Sequence, residues 1–315
     1  MLAELAAPMK LAVPDLISNS YFPAAAAVEL GFFENEGLDV ELELIFPVDK
    51  CYAALRDGRI DFVGGSAHSA LAAFPGWDGV KLLCAQAQGM YWFLIMRADL
   101  KVARGDISAV KGKRIGAAPW VEMGLRRLLI EAGIDLVRDE VTIAPVPGAI
   151  GEKANFGLMA AQALADGKID GFWANGMGAE VAQRSGAGTL VLDIRRGDGP
   201  PACFNYTMAS LATSDALIAR SPETAAAAVR AIVATQRALV ADVSLATKAG
   251  RALFPAAEAE LIADIVRRDL PYYDAAISPE FVAGMNQFAR DVGILDREVP
   301  YEAVVATRFA SLWQA

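Results

Sequence analysis

Leu55-Arg56-Asp57-Gly58-Arg59-Ile60-Asp61 returns as Leu164-Ala165-Asp166-Gly167-Lys168-Ile169-Asp170, a constant offset of 109 residues. In each copy a helical run ends at a glycine, the residue that most readily takes the left-handed conformation closing a helix, and an apolar strand follows at once. The Asp-Gly pair is the hinge of that helix-to-strand turn. A less regular echo lies upstream of each copy, where Glu36-Gly37-Leu38-Asp39-Val40 is answered by Ala132-Gly133-Ile134-Asp135. Both echoes run in the same order, so the chain reads as two similar α/β units, which predicts two lobes with a ligand groove between them.

Composition narrows the function. The 315 residues are 55% hydrophobic and 21% charged, enough to bury a core and too apolar for extensive disorder. A net charge of -9 argues against nucleic acid, which needs a concentrated basic surface. The pairs Arg126-Arg127, Arg195-Arg196 and Arg267-Arg268 are scattered and read as solvated faces. Cys51, Cys84 and Cys203 are widely spaced without a CxxC, so free thiols are expected, and the sole histidine, His68, leaves little room for metal or triad chemistry. No cofactor is expected. No stretch approaches the roughly 18 consecutive apolar residues of a membrane helix, so no membrane insertion is expected. Residues 1–9 lack the pattern of a signal peptide, which leaves open a cytosolic protein or a leader removed before the numbering begins.

Along the chain, residues 9–14 read as a strand, 23–30 as a helix stopped by Gly31, and 40–46 as an alternating edge strand. A helix from Cys51 to Gly58 and a buried strand over 60–63 follow. Gly64-Gly65-Ser66 then reads as a turn opening an Ala-rich helix to Ala73. This β-α-β-α-β-α order predicts a parallel sheet. Residues 82–97 read as one strand leaving the first lobe and 98–110 as a connector. The pattern restarts at Lys111: a strand, a loop at Pro119-Trp120, a helix to Gly133, and further strands over 141–146, 169–174 and 189–194. Residues 203–211 read as a return strand. The remainder reads as helices that begin at Ser221-Pro222-Glu223 and Ser278-Pro279-Glu280 and pack back on the first lobe. The expected division is 1–98 with 207–315 for lobe 1, and 99–206 for lobe 2.

Several of these segments, in register, resemble a known family. Pro23 through Val40 carries a Pro-Ala-x-x-Ala helix leading into Gly-Phe-Phe-x-x-x-Gly-Leu-Asp-Val. Leu55 to Phe62 carries Leu-x-x-Gly-x-Ile-Asp-Phe, and Val110 to Gly116 is Val-Lys-Gly-Lys-Arg-Ile-Gly. Together they resemble type II periplasmic solute-binding proteins, in the NMT1/THI5-like branch with the taurine, nitrate and thiamine-pyrimidine-precursor proteins. The resemblance implies an α/β, two-lobed fold, each lobe a mostly parallel sheet flanked by helices. It also implies a small-molecule ligand delivered to an ABC transporter permease, and a periplasmic location with a cytoplasmic alternative. A monomer is expected of a protein that must open and close.

Ligands of open α/β sheets sit beyond the carboxyl ends of the strands, so loops after strands supply the candidates. These are Asn19, Tyr21, Lys50, Gly65, Ser66 and His68 in the first lobe and Trp120, Glu122 and Asn175 in the second, with Gln88, Tyr91, Trp92 and Asn205 from the crossings. The Gly64-Gly65-Ser66 turn offers backbone N–H groups to a carboxylate, sulfonate or ring carbonyl, although a tight turn alone explains it equally. Tyr21, Tyr91, Trp92, Trp120 and Trp173 offer ring faces, and Glu122 an acceptor for a ring N–H, although any one of them also fits a core. Lys50 is the one basic residue placed at the cleft, which disfavours sulfonate or nitrate. The pyrimidine synthases that share this resemblance use a Lys and a His in the loop after the third strand; Gly65 stands where that Lys would fall, and the cysteine-rich segment is missing. The expected function is therefore capture of a planar aromatic or heteroaromatic solute, a thiamine pyrimidine precursor first, with no catalytic residue. The alternative is a cytosolic pyrimidine synthase-like or decarboxylase-like enzyme, or a ligand sensor, built on Glu122, His68 and Lys50.

Overall fold

The computed structural model describes residues 7–149 and 155–314. Ten strands run in chain order as β1 (Met9–Val13), β2 (Val40–Leu44), β3 (Phe62–Ser66), β4 (Val80–Ala87), β5 (Phe93–Arg97), β6 (Arg114–Ala117), β7 (Thr142–Ala144), β8 (Gly171–Ala174), β9 (Gly188–Asp193) and β10 (Ala209–Ser214). They form two five-stranded sheets of one design, β2-β1-β3-β10-β4 in the first lobe and β7-β6-β8-β5-β9 in the second. In each, three strands lie parallel, β1 to β3 and β6 to β8. The fourth place goes to an antiparallel strand that has crossed from the other half of the chain, β10 in one lobe and β5 in the other.

The repeated heptad forms the same turn twice. Gly58 and Gly167 have φ of 68° and 69°. Behind them, Arg59 N–H donates to Ala54 O and Lys168 N–H to Ala163 O, each at 2.9 Å, closing the helices Val48–Arg56 and Phe156–Ala165. The last residue of the heptad then anchors the neighbouring strand of its sheet. Asp61 Oδ2 accepts from Lys10 N–H at the start of β1, and Asp170 Oδ2 from Arg114 N–H at the start of β6, both at 2.9 Å.

Three sequence expectations need correction. The run 82–97 is two strands in different sheets. The chain breaks out of the first ladder at Gly89, whose φ is 72° and where a Cβ would stand 2.3 Å from the Phe204 ring. The crossover therefore precedes β5 rather than following it at residue 98. The return segment is a 3-10 turn, Pro201–Tyr206, with only β10 extended, and the two crossings run side by side where Met90 N–H donates to Phe204 O at 2.9 Å. Gly64 and Gly65 are not a turn: they lie inside β3, opposite Leu211 and Ser210 of β10, and the segment after them is 3-10, Ala67–Ala72. Position 64 is crowded: a Cβ there would meet Gln86 Nε2 and Val13 Cγ1 at 3.1 Å, tighter than ordinary contact.

The tail departs in part from expectation. Ser278 Oγ caps the helix Pro279–Asp291 by accepting from Phe281 N–H at 3.1 Å, whereas Ser221 Oγ bonds Thr224 instead. The helix Pro222–Ala241 packs on the first lobe beside Phe22–Glu29, but Ala256–Asp269 lies against the second-lobe helix Gly176–Arg184. Ion pairs link the two helices, Arg184 to Asp264 at 3.1 Å and Arg268 to Glu180 at 3.5 Å. The tail therefore touches both lobes. One apolar core runs through the crossing and joins Val13 and Phe22 of the first lobe to Leu125, Trp173 and Leu192 of the second.

Candidate functional site

Between the lobes lies a cleft of about 470 Å³ of open space, mouth included. Pro14 and Asp15 follow β1, Phe46 follows β2, Ala118 and Pro119 follow β6, and Asn175 follows β8, so the walls are built from strand carboxyl ends. Tyr21, Val48, Trp92, Val121, Phe156, Gly157, Trp173 and Ala174 complete them.

Asp15 is the polar centre of this cleft. Its carboxylate accepts from Ile17 N–H at 2.9 Å, from Asn155 Nδ2 at 2.7 Å and from Asn175 Nδ2. Both asparagines belong to the second lobe and both are helix N-caps, their Oδ1 atoms accepting from Leu158 and Gly178 N–H. Each oxygen serves its own helix and each amide NH₂ crosses to the first lobe. Burial pushes the Asp15 carboxyl up to about 6, against the lowering effect of these three donors. Gly157 admits Asn175, since a Cβ there would stand 2.9 Å from Asn175 Oδ1.

A chain of rings runs along the crossing. The Tyr21 and Tyr91 hydroxyls hydrogen-bond, and their rings meet edge-on at 5.5 Å between centroids. Tyr91 leads to Trp92 at 5.0 Å and Trp92 to Trp173 at 6.2 Å. The Trp173 Nε1–H is buried and has no partner among the described residues.

His68 is fully buried beside the cleft rather than in it. Nε2 lies 3.2 Å from Trp120 O, an acceptor, so Nε2 carries the proton and Nδ1 accepts from the Thr207 hydroxyl at 2.9 Å. Burial pulls its pKa down to about 4, so the ring is neutral and both nitrogens are spent. Trp120 adopts φ of 69°, a conformation that strains a bulky residue, and its side chain packs on a core cluster of the first lobe. Phe46 makes the reciprocal contact with a cluster of the second.

Of the residues singled out in the sequence, Tyr21, Trp92, Trp173 and Asn175 line the cleft, while Tyr91, Trp120 and His68 support it from behind. Glu122 opens the helix Val121–Glu131; one of its oxygens is buried without a partner among the described residues, and burial raises its pKa. Asn19 is bound to Asp269 through Nδ2. The others lie elsewhere. Lys50 is exposed on the helix Val48–Arg56. Gly65 and Ser66 are in the ladder with β10, with Gly65 O accepting from Ser210 Oγ and Ser66 O from Tyr52. Gln88 Nε2 donates to Asp274 O and Ala276 O in the tail, and Asn205 packs on Gly284.

Arg195 overturns the reading of its pair as a solvated face. Its side chain is fully buried, 3.1 Å from Asp269, with Nε donating to Gln88 O and the guanidinium 5.5 Å from the Tyr91 ring centroid. Asp15 and Phe156 escaped the sequence analysis. The Pro14-Asp15 step directly after β1 carried a signal for Asp15; nothing local marked Phe156.

A family model described as NMT1/THI5 like matches residues 19–242. Among solved structures, a protein of Bordetella bronchiseptica RB50 superposes with TM-score 0.71 at 21% identity, over 95% of this chain and 92% of that one. The alkanesulfonate-binding protein SsuA from Xanthomonas axonopodis pv. citri bound to MOPS gives TM-score 0.71 at 14% identity, over 96% and 99%. The desulfurization enzyme DszB gives 0.63 at 15% identity, over 96% and 98%. At such identities these structures share the fold, which serves a binding protein in one case and an enzyme in another. No curated relative matches the chain in sequence. The family model spans well over half of the residues, and the chain belongs to the NMT1/THI5-like family.

Proposed function

We propose that this protein is the substrate-binding component of an ABC importer, that it works in the periplasm, and that it captures a small planar aromatic or heteroaromatic solute by closing its two lobes. The observation that carries this reading is Asp15, a carboxylate of one lobe held by two asparagine amides of the other inside an aromatic-walled cleft. Burying a ring there would stabilise the complex by about 25 cal/mol per Å² of apolar surface, with the polar groups setting orientation. The two adjoining crossings would take up the hinge motion. A thiamine pyrimidine precursor is the first ligand to try. A solute receptor is favoured over an enzyme because His68 is buried with both nitrogens engaged, and Lys50 is exposed and not among the cleft-lining residues. The relevant lobes are those of the two sheets, and a monomer suits the opening motion. Native mass spectrometry followed by a thermal-shift screen of pyrimidines, aromatic acids, sulfonates and nitrate tests the reading. A stabilising hit recovered unchanged supports it; a hit that is consumed, or a covalent adduct, replaces it with an enzyme on the fold that DszB also uses.

A further inference from the structure

Among the described residues, the cleft lining holds a buried indole N–H without an acceptor and a carboxylate with room for one more donor. Trp173 lines the wall with no measurable exposure, and its Nε1–H has no acceptor among the described residues, an arrangement that is costly unless something else fills it. Asp15 offers about four acceptor positions. Among the described residues Ile17, Asn155 and Asn175 take three, leaving one. Among the described residues no Lys or Arg lines the cleft, and the nearby Arg195 is paired with Asp269 through Nη1.

We propose that Asp15 and Trp173 are the specificity-determining pair of this site, Asp15 accepting an N–H of a neutral or cationic planar ring and Trp173 Nε1–H donating to an acceptor atom of the same ring, so that anions are refused. This rests on the reading of the cleft as a solute site and adds the kind of solute. A sulfonate or carboxylate brought into the cleft meets the Asp15 carboxylate with one indole N–H, and among the described residues of the lining no cation offsets the repulsion. An N–H donor meets an acceptor already desolvated and fixed by three hydrogen bonds.

The test is calorimetric titration of cytosine, 4-aminopyrimidine, benzenesulfonate and benzoate into the wild type, Asp15→Asn, Trp173→Phe and Val121→Trp. We expect one of the two nitrogen heterocycles to bind the wild type about tenfold or more tighter than either anion. Trp173→Phe keeps the ring wall, removes only the N–H, and should weaken that binding about fivefold or more. Asp15→Asn should weaken it as well and narrow the gap to benzenesulfonate; a purely structural Asp15 would instead lower both affinities alike. The inference is overturned if an anion binds the wild type as tightly as the heterocycles, if no probe binds, or if the two variants leave the preference unchanged. Val121→Trp, which fills the cleft, separates the two claims: heterocycle binding that survives it lies outside the cleft, and the solute-site reading then fails on its own.

Discussion

Asn175, the N-cap of a second-lobe helix, donates its side-chain amide to Asp15 of the first lobe. Its Oδ1 meanwhile accepts from Gly178 N–H at 3.3 Å. Aspartate or serine would cap this helix as well as asparagine does, but neither carries an NH₂ for the crossing bond.

Asn175→Asp should therefore keep the helix and lose the bridge, setting a second carboxylate against Asp15. We expect a lower ligand affinity, a larger radius of gyration by small-angle X-ray scattering, and a stability loss of about 1–3 kcal/mol. A radius unchanged from the wild type would show that the bridge does not hold the lobes together.

Asp15 carries a pH signature opposite to that of an ordinary paired carboxylate. Its pKa is about 6 in the fold and lies in the usual carboxylate range when unfolded, so the native state holds the proton more tightly. Its contribution is fully present below about pH 4 and disappears as pH rises through 6, a change of about 3 kcal/mol. Urea unfolding of the wild type and Asp15→Asn from pH 4 to 7.5 checks this: the wild type should lose ground to the variant as pH rises. A constant difference between them would refute it.

His68 works in the other direction. With a folded pKa of about 4 against an ordinary value near 6.5, its contribution is present above pH 6.5 and lost as pH falls through 4. As the sole histidine it gives one isolated ring signal in NMR. We expect that signal to titrate near pH 4, and a midpoint near 6.5 would place the ring in water rather than against Trp120 and Thr207.

Trp120→Ala removes a second-lobe side chain that packs on the first lobe while leaving the backbone bond to His68 open to form. We expect ligand affinity to fall about tenfold and stability by about 1–3 kcal/mol, less than for a fully buried tryptophan. Unaltered affinity by calorimetry would mean that lobe closure does not use this contact.

The paired turns allow an internal control. A Cβ at Gly58 meets nothing within 4 Å, and one at Gly167 meets only Arg97 Nη1 at 3.9 Å, so Gly58→Ala and Gly167→Ala should each cost about 1 kcal/mol through backbone strain alone. Chemical denaturation should find the two nearly equal.

What could be read from the chain follows from what is local. A glycine closing a helix, an Asp-Gly step and alternation along an edge strand each depend on residues a few positions apart, so the repeat by itself announces two α/β lobes. The same logic misread Gly64-Gly65, because glycines in a turn and glycines in a crowded strand look alike until Gln86 and Val13 are known to press on Gly64 and Val48 on Gly65. It also left the run at 82–97 undivided, since hydrophobicity does not say which sheet a strand joins. The site itself was legible in its parts: Tyr21, Trp92 and Asn175 stand at strand ends or crossings that the pattern marks. By itself the sequence determined the two lobes, their repeated turns and the strand ends where a cleft must lie. Only the tertiary structure decided that Asp15 would be the centre of that cleft and His68 a buried prop, because Asp15 meets Asn155 and Asn175 across 140 and 160 residues of chain, and the cost of burying a charge depends on partners that folding alone brings within reach.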